Sequence, residues 1–141
     1  MDFDAERLAR NRQDLAAAKA EIDRLTRDEA DAFLADTRSR LALRYVLIQA
    51  VEGIVDICQH VLSRAAGVAC QGYVDCIVKA GEHGIIDEPL AGKLRKLASL
   101  RNGLVHRYWQ IDDRRVYESC REDAADLDAF LAQIERYIRS R

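Results

Sequence analysis

The chain has 141 residues, 49% of them apolar and 33% charged, with a net charge of −2. That size suits a single domain with one real hydrophobic core, spanning 1–141, and the composition excludes a disordered chain. No apolar run approaches the ~18 residues a membrane span needs, and a slightly acidic total argues against general affinity for nucleic acid.

One proline and seven glycines punctuate the sequence, and β-branched alternation is nearly absent, so the chain reads as all-α: an antiparallel helical bundle. The opening stretch "MDFDAERLARNR" mixes acids and bases without an apolar segment. No secretory leader is expected there, and the cytoplasm is the default location. Leu8, Leu15, Ala18, Ile22 and Leu25 then form a sparse heptad-like stripe that predicts a first helix. "TRDE", from Thr26 to Glu29, fits a capping box and predicts that Thr26 caps a short second helix.

A long helix is expected from Asp36 or Thr37 to Ala66, ended by Gly67. A shorter one should cover roughly Gln71 to Ala80, with "GEHG" at 81–84 as a turn. Asp87 is placed to cap the next helix, with Pro89 in its first turn, and that helix should reach at least Gly103. "QIDD" predicts another turn. The last helix should end near Arg139, with Leu127, Phe130, Leu131, Ile134, Tyr137 and Ile138 on one apolar face.

Cys58, Cys70, Cys76 and Cys120 lack the paired short spacings of a zinc site. They are expected to be four reduced thiols, mostly buried, and no metal or cofactor is expected. Charge is unevenly spread: Lys93 to Arg115 holds seven basic residues against Asp112 and Asp113, so this segment carries +5 and the rest of the chain −7. A basic patch on an acidic body permits a phosphate-bearing partner.

Two polar intrusions stand out. On the long helix, Leu41, Tyr45, Ile48, Glu52, Val55 and Gln59 share a face, with Asp56 close beside it and His60 further round. That line is apolar in its first half and polar in its second, which means either a solvated helix end or carboxylates lining a cleft. On the later helix, Leu90, Leu94 and Leu97 lead to Arg101. A buried guanidinium must be paired or lie in a wet cleft, and Glu52 and Asp56 are the obvious partners. A register-fixing Arg–carboxylate bridge accounts for this as well as a reactive centre does.

His106 lies five residues beyond Arg101, about 140° round a continuous helix, whereas Asn102 and His106 share a face. A cleft, a helix end near Tyr108 or a two-fold dimer could bring them together. As chemistry, the pair suits RNA cleavage. Histidine titrates near neutrality and can move protons, while arginine presents a fork of donors to phosphate oxygens. Trp109 could stack on a base, though packing is its commoner use. His60 and His83 are expected to have no catalytic duty, with His83 exposed in its turn.

"RNGLVHRY" resembles the Rx4HxY motif of HepT-like toxins of the HEPN superfamily. "LIQAVEGIVDICQHVL", "GIIDEPLAGKLRKLASLRNGLVHRYW" and "VYESCREDAADLDAFL" resemble that family's blocks in their usual order. The resemblance implies a HEPN-type bundle of four to five main helices, forming a symmetric homodimer with both motif copies in one cleft. It implies a metal-independent endoribonuclease, the toxin of a type VII HEPN–MNT toxin–antitoxin system, acting on RNA, with no membrane partner. It also implies an MntA-like nucleotidyltransferase antitoxin that transfers AMP to the motif tyrosine. Carried onto this sequence, Arg101 and His106 would be catalytic, Asn102 would help position them, and Tyr108 would accept AMP. Glu52 and Asp56 match an acidic pattern on the family's long helix. A module of a different class, a non-catalytic helical nucleotide-binding or partner-binding protein working with a nucleotidyltransferase, would use the same residues without cleaving anything.

Overall fold

The computed structural model describes residues 3–141; Met1 and Asp2, part of the stretch read for a leader, lie outside the described residues. The helices are α1 (Ala5–Leu25), α2 (Ala30–Ala35), α3 (Thr37–Ala66), α4 (Tyr73–Glu82), α5 (Glu88–His106) and α6 (Asp113–Arg139). A single 3-10 turn, Tyr108–Gln110, joins the last two. The expected all-α bundle is therefore present, with five longer helices and the short α2 among the described residues. None of these helices is long and apolar enough to cross a membrane.

The long α3 is the central element and packs against every other helix. Its limits are set by local chemistry. The Asp36 carboxylate accepts from the Arg38 amide at 3.1 Å, and Gly67 closes the helix at φ 64°, a left-handed conformation that favours glycine. Leu43, Leu47, Ala50, Val51, Ile54, Ile57, Val61 and Leu62 face the core. The start of the predicted apolar line of this helix lies outside it: Leu41 and Tyr45 are each 63% exposed. Periodicity identifies a stripe but not its inward direction, and the core takes the adjacent one.

Thr26 does not cap α2. It is buried at the end of α1, where its hydroxyl donates back to the Ile22 carbonyl at 2.8 Å, and α2 starts at Ala30. The "GEHG" turn is also shorter than predicted, because α4 continues through Gly81 and Glu82. Gly81 is where α4 and α5 meet, and a Cβ there would stand 2.8 Å from the Ala91 Cβ. The glycine serves helix contact instead of chain reversal. His83 is exposed, as expected.

Asp87 caps α5 by accepting from the Leu90 amide at 2.9 Å, with Pro89 in the first turn. The helix runs through Gly103 to His106. A Cβ at Gly103 would lie 3.0 Å from Ile111 Cδ1; the missing side chain gives the following turn room to fold back. On α6, Leu127, Phe130 and Ile134 are fully buried, and Leu131, Tyr137 and Ile138 pack at the margin.

The cysteines correct the expectation of four thiols. Cys70 and Cys76 form a disulfide, with Cα atoms 4.9 Å apart. The chain after Gly67 turns back onto α4, a path that no cysteine spacing announces. Cys58 and Cys120 remain free and buried, and burial pushes both thiols up to about 12.

Candidate active site

Arg101 reaches the inner surface of the bundle near its α3–α4 side, and only 12% of its side chain is exposed. Glu52 is its nearest carboxylate, but the Arg101 Nη2–Glu52 Oε1 distance is 3.6 Å, too long for a hydrogen bond. Tyr73 stands at the same point. Its hydroxyl accepts from Arg101 Nη2 at 3.2 Å and donates to Glu52 Oε1, while its ring lies 3.9 Å from the guanidinium carbon. Asn102 completes the arrangement by accepting from Arg101 Nη1 at 3.0 Å. Arg101 Nε is buried without a hydrogen-bond partner.

Tyr73 was not among the residues the sequence singled out. It opens α4 directly after Gly72, whose φ of 121° belongs to glycine's range, so the loop can deliver the ring onto a residue 28 positions away. The hydrogen bond to Glu52, followed by burial, raises the Tyr73 pKa, so its hydroxyl is neutral and able to donate.

Asp56 lies one turn beyond Glu52 on α3. The two carboxylates share a cavity of about 170 Å³ with Tyr73, Gln59 and Cys70. They also line a larger cleft of about 580 Å³ between α1 and α3, together with Asp14, Glu21 and Tyr45. Burial, then the neighbouring Glu52, raises the Asp56 pKa. Asp56 makes no hydrogen bond or ion pair with Arg101 among the described residues; Glu52, Tyr73 and Asn102 are the groups that contact the arginine.

His106 is the last residue of α5 and is exposed, and its ring makes no hydrogen bond among the described residues. Within one chain, no hydrogen bond or ion pair joins it to Arg101. The structure thus brings Arg101, Asn102 and Glu52 together and leaves His106 and Tyr108 at the surface.

Tyr108 is 61% exposed and meets Trp109 edge-on at 5.3 Å, with Trp109 itself 67% exposed. Their backbone is fixed nonetheless. Arg44 of α3 donates to the Tyr108 carbonyl at 3.0 Å, to the Ile111 carbonyl at 2.7 Å and to Asp113 Oδ1 at 2.6 Å. Leu41, exposed, lies three residues before Arg44 and so on the same side of α3. An exposed apolar residue of α3 therefore stands beside the arginine that holds the Tyr108 turn.

His60, expected to lack catalytic duty, is buried where α1 meets α3. Its Nε2 accepts from the Asp4 amide at 3.0 Å and ties α1's first turn to α3.

A sequence profile described as "Ribonuclease HepT-like" matches residues 15–134. A protein of Archaeoglobus fulgidus, provisionally designated an RNase, is 36% identical over 91 residues, covering 64% of this chain and 68% of that protein. The tRNA nuclease HepT of Aphanizomenon flos-aquae is 24% identical over 108 residues, covering 77% of this chain and 74% of that one. Among solved structures, the tri-AMPylated HEPN toxin of Shewanella oneidensis, in complex with its MNT antitoxin, superposes with a TM-score of 0.84 at 20% identity, over 92% of this chain and 96% of that one. At these identities the structural likeness speaks for the fold.

Proposed function

The chain belongs to the HepT-like ribonuclease family, and on that premise we propose that it is the toxin of a type VII HEPN–MNT toxin–antitoxin pair, a single HEPN domain that cleaves RNA in the cytoplasm. The observation that carries the reading is the state of Arg101. It is held from two sides and little exposed, yet it forms no direct hydrogen bond with a carboxylate, in the same segment that ends in a free, exposed His106. A purely structural arginine would be expected to close onto Glu52.

In this reading Arg101 donates to the phosphate oxygens as negative charge develops on them. His106 moves the proton of the ribose 2′-hydroxyl or of the leaving oxygen, chemistry that calls for no metal. Asn102 and Glu52 orient the guanidinium, and Asp56 adds to the local negative field. Because one chain does not join His106 to Arg101, the working site is formed by a homodimer. The exposed Leu41, Tyr45 and Val105 support that second copy, since large apolar groups are costly to leave in water. Tyr108 is the AMP acceptor for an MntA-like nucleotidyltransferase. The added phosphodiester brings charge and bulk that repel RNA phosphate.

The test pairs growth with cleavage. Overproduced protein should arrest growth and the purified dimer should cut RNA, including in the presence of EDTA. Arg101→Ala and His106→Ala should abolish both effects while the dimer stays folded. If the wild type cuts nothing and both variants remain as toxic, the ribonuclease reading fails and the non-catalytic partner-binding module takes its place. For the tyrosine, intact mass after incubation with the nucleotidyltransferase and ATP should rise in the wild type and not in Tyr108→Phe.

A further inference from the structure

We propose that Tyr73 is a positioning residue of the Arg101 centre: its hydroxyl stands between the guanidinium and the Glu52 carboxylate and prevents the pair from closing into a direct bridge. The inference rests on the ribonuclease reading above and adds to it a residue from a different helix.

Arginine and carboxylate at close range ordinarily form a two-pronged bridge at about 2.7–2.9 Å, among the strongest pairings available to either side chain. Here the two are neighbours and the bridge is absent, with 3.6 Å between Nη2 and Oε1. The Tyr73 hydroxyl takes up both partners at once, accepting from Arg101 at 3.2 Å and donating to Glu52. The Tyr73 ring covers one face of the guanidinium at 3.9 Å and limits its tilt. Asn102 holds the other terminal nitrogen at 3.0 Å. Nε is buried, so the terminal nitrogens alone can meet a phosphate, and the arginine keeps donors that a bridge to Glu52 would consume.

The placement of Tyr73 is built into the chain. Gly72 supplies the backbone conformation that starts α4 under the arginine, and the Cys70–Cys76 disulfide ties the loop on either side of the tyrosine. The phenol also keeps its proton, because Glu52 and burial raise its pKa.

Tyr73→Phe keeps the ring and removes the hydroxyl. Without it Glu52 should close onto Arg101, and kcat/KM for cleavage of an RNA oligonucleotide should fall about tenfold. Adding Glu52→Gln removes the competing charge, so the double variant should regain activity to within about threefold of Glu52→Gln alone. A merely structural tyrosine predicts no such rescue. Wild-type activity in Tyr73→Phe, or a double variant that falls as far below Glu52→Gln as Tyr73→Phe falls below the wild type, overturns the proposal. A crystal structure of Tyr73→Phe gives a readout independent of activity: the Arg101–Glu52 separation should shorten to hydrogen-bonding distance, and an unchanged separation overturns the proposal. If the wild type cuts no RNA, that separation alone decides, and a closed pair then upholds the spacer role while the ribonuclease reading fails.

Discussion

The Arg44 guanidinium on α3 donates to the main-chain carbonyl of Tyr108 at 3.0 Å and leaves the tyrosine ring untouched. The same group reaches the Ile111 carbonyl and Asp113, so one α3 side chain fixes both ends of the turn between α5 and α6. Arg44→Ala should destabilise the fold by about 1–2 kcal/mol and loosen this turn first. Trp109, the single tryptophan, reports on it directly: its fluorescence anisotropy should fall well below the thermal transition. Arg44→Lys should not restore it, since an ammonium on a flexible stem cannot hold three separated acceptors in fixed geometry.

Two glycines in helices should respond oppositely to alanine. A Cβ at Gly81 would stand 2.8 Å from Ala91 Cβ, where neither backbone can yield cheaply. Gly81→Ala should therefore cost about 1–3 kcal/mol despite its better helix propensity. Gly92 on α5 has nothing within 4 Å of its would-be Cβ, and Gly92→Ala should gain up to about 1 kcal/mol. Urea denaturation of both variants checks the pair; equal shifts would contradict the close α4–α5 contact.

His60 makes the attachment of α1 sensitive to acid. Its pKa is lowered, first by burial and then by Arg64 and Arg7, with Asp4 acting in the opposite direction. The folded ring thus binds fewer protons than the unfolded one between its lowered value and the ordinary 6.5. Stability from this group is fully present above 6.5 and is lost as pH falls through the folded value. Protonation also removes the lone pair that accepts the Asp4 amide. Hydrogen exchange should show the Asp4 and Leu8 amides losing protection in mild acid, ahead of the α3 core. His60→Gln should flatten that dependence.

The cysteines are expected to separate into two classes by reactivity. Cys58 and Cys120 are buried, with thiols pushed up to about 12, so native protein should be inert to a thiol reagent. Unfolding without reductant should release two thiols, given the Cys70–Cys76 bond, and unfolding with reductant all four. Four thiols without reductant would show the bond absent. Its short loop should limit the stability gained from the bond to about 2 kcal/mol.

Where a boundary rests on local chemistry, the sequence was a good guide. Asp36, Gly67, Asp87 and Pro89 mark helix ends through hydrogen bonds and backbone angles formed within a few residues, and these lie where expected. Misreadings occur where a residue's role depends on a distant partner. Thr26 turns its hydroxyl inward, Gly81 serves a contact with α5, and Leu41 and Tyr45 face out because the core occupies the neighbouring stripe. At the site, the closeness of Arg101 to Glu52 was legible because both break apolar lines. Tyr73 was not, since an aromatic after a glycine looks the same whether it packs, stacks or bridges. The loop path that carries it to Arg101 leaves no periodic trace.

The grip of Arg44 on a carbonyl has a consequence for chemical modification of the turn. Anchor and reactive group occupy different parts of one residue: the backbone of Tyr108 is tethered, while its phenol projects outward. A substituent attached to that oxygen would displace no core side chain and break none of the three Arg44 contacts. Labelled and unlabelled forms of the chain should therefore melt alike, so that a covalent mark can be written or erased on a fully folded molecule.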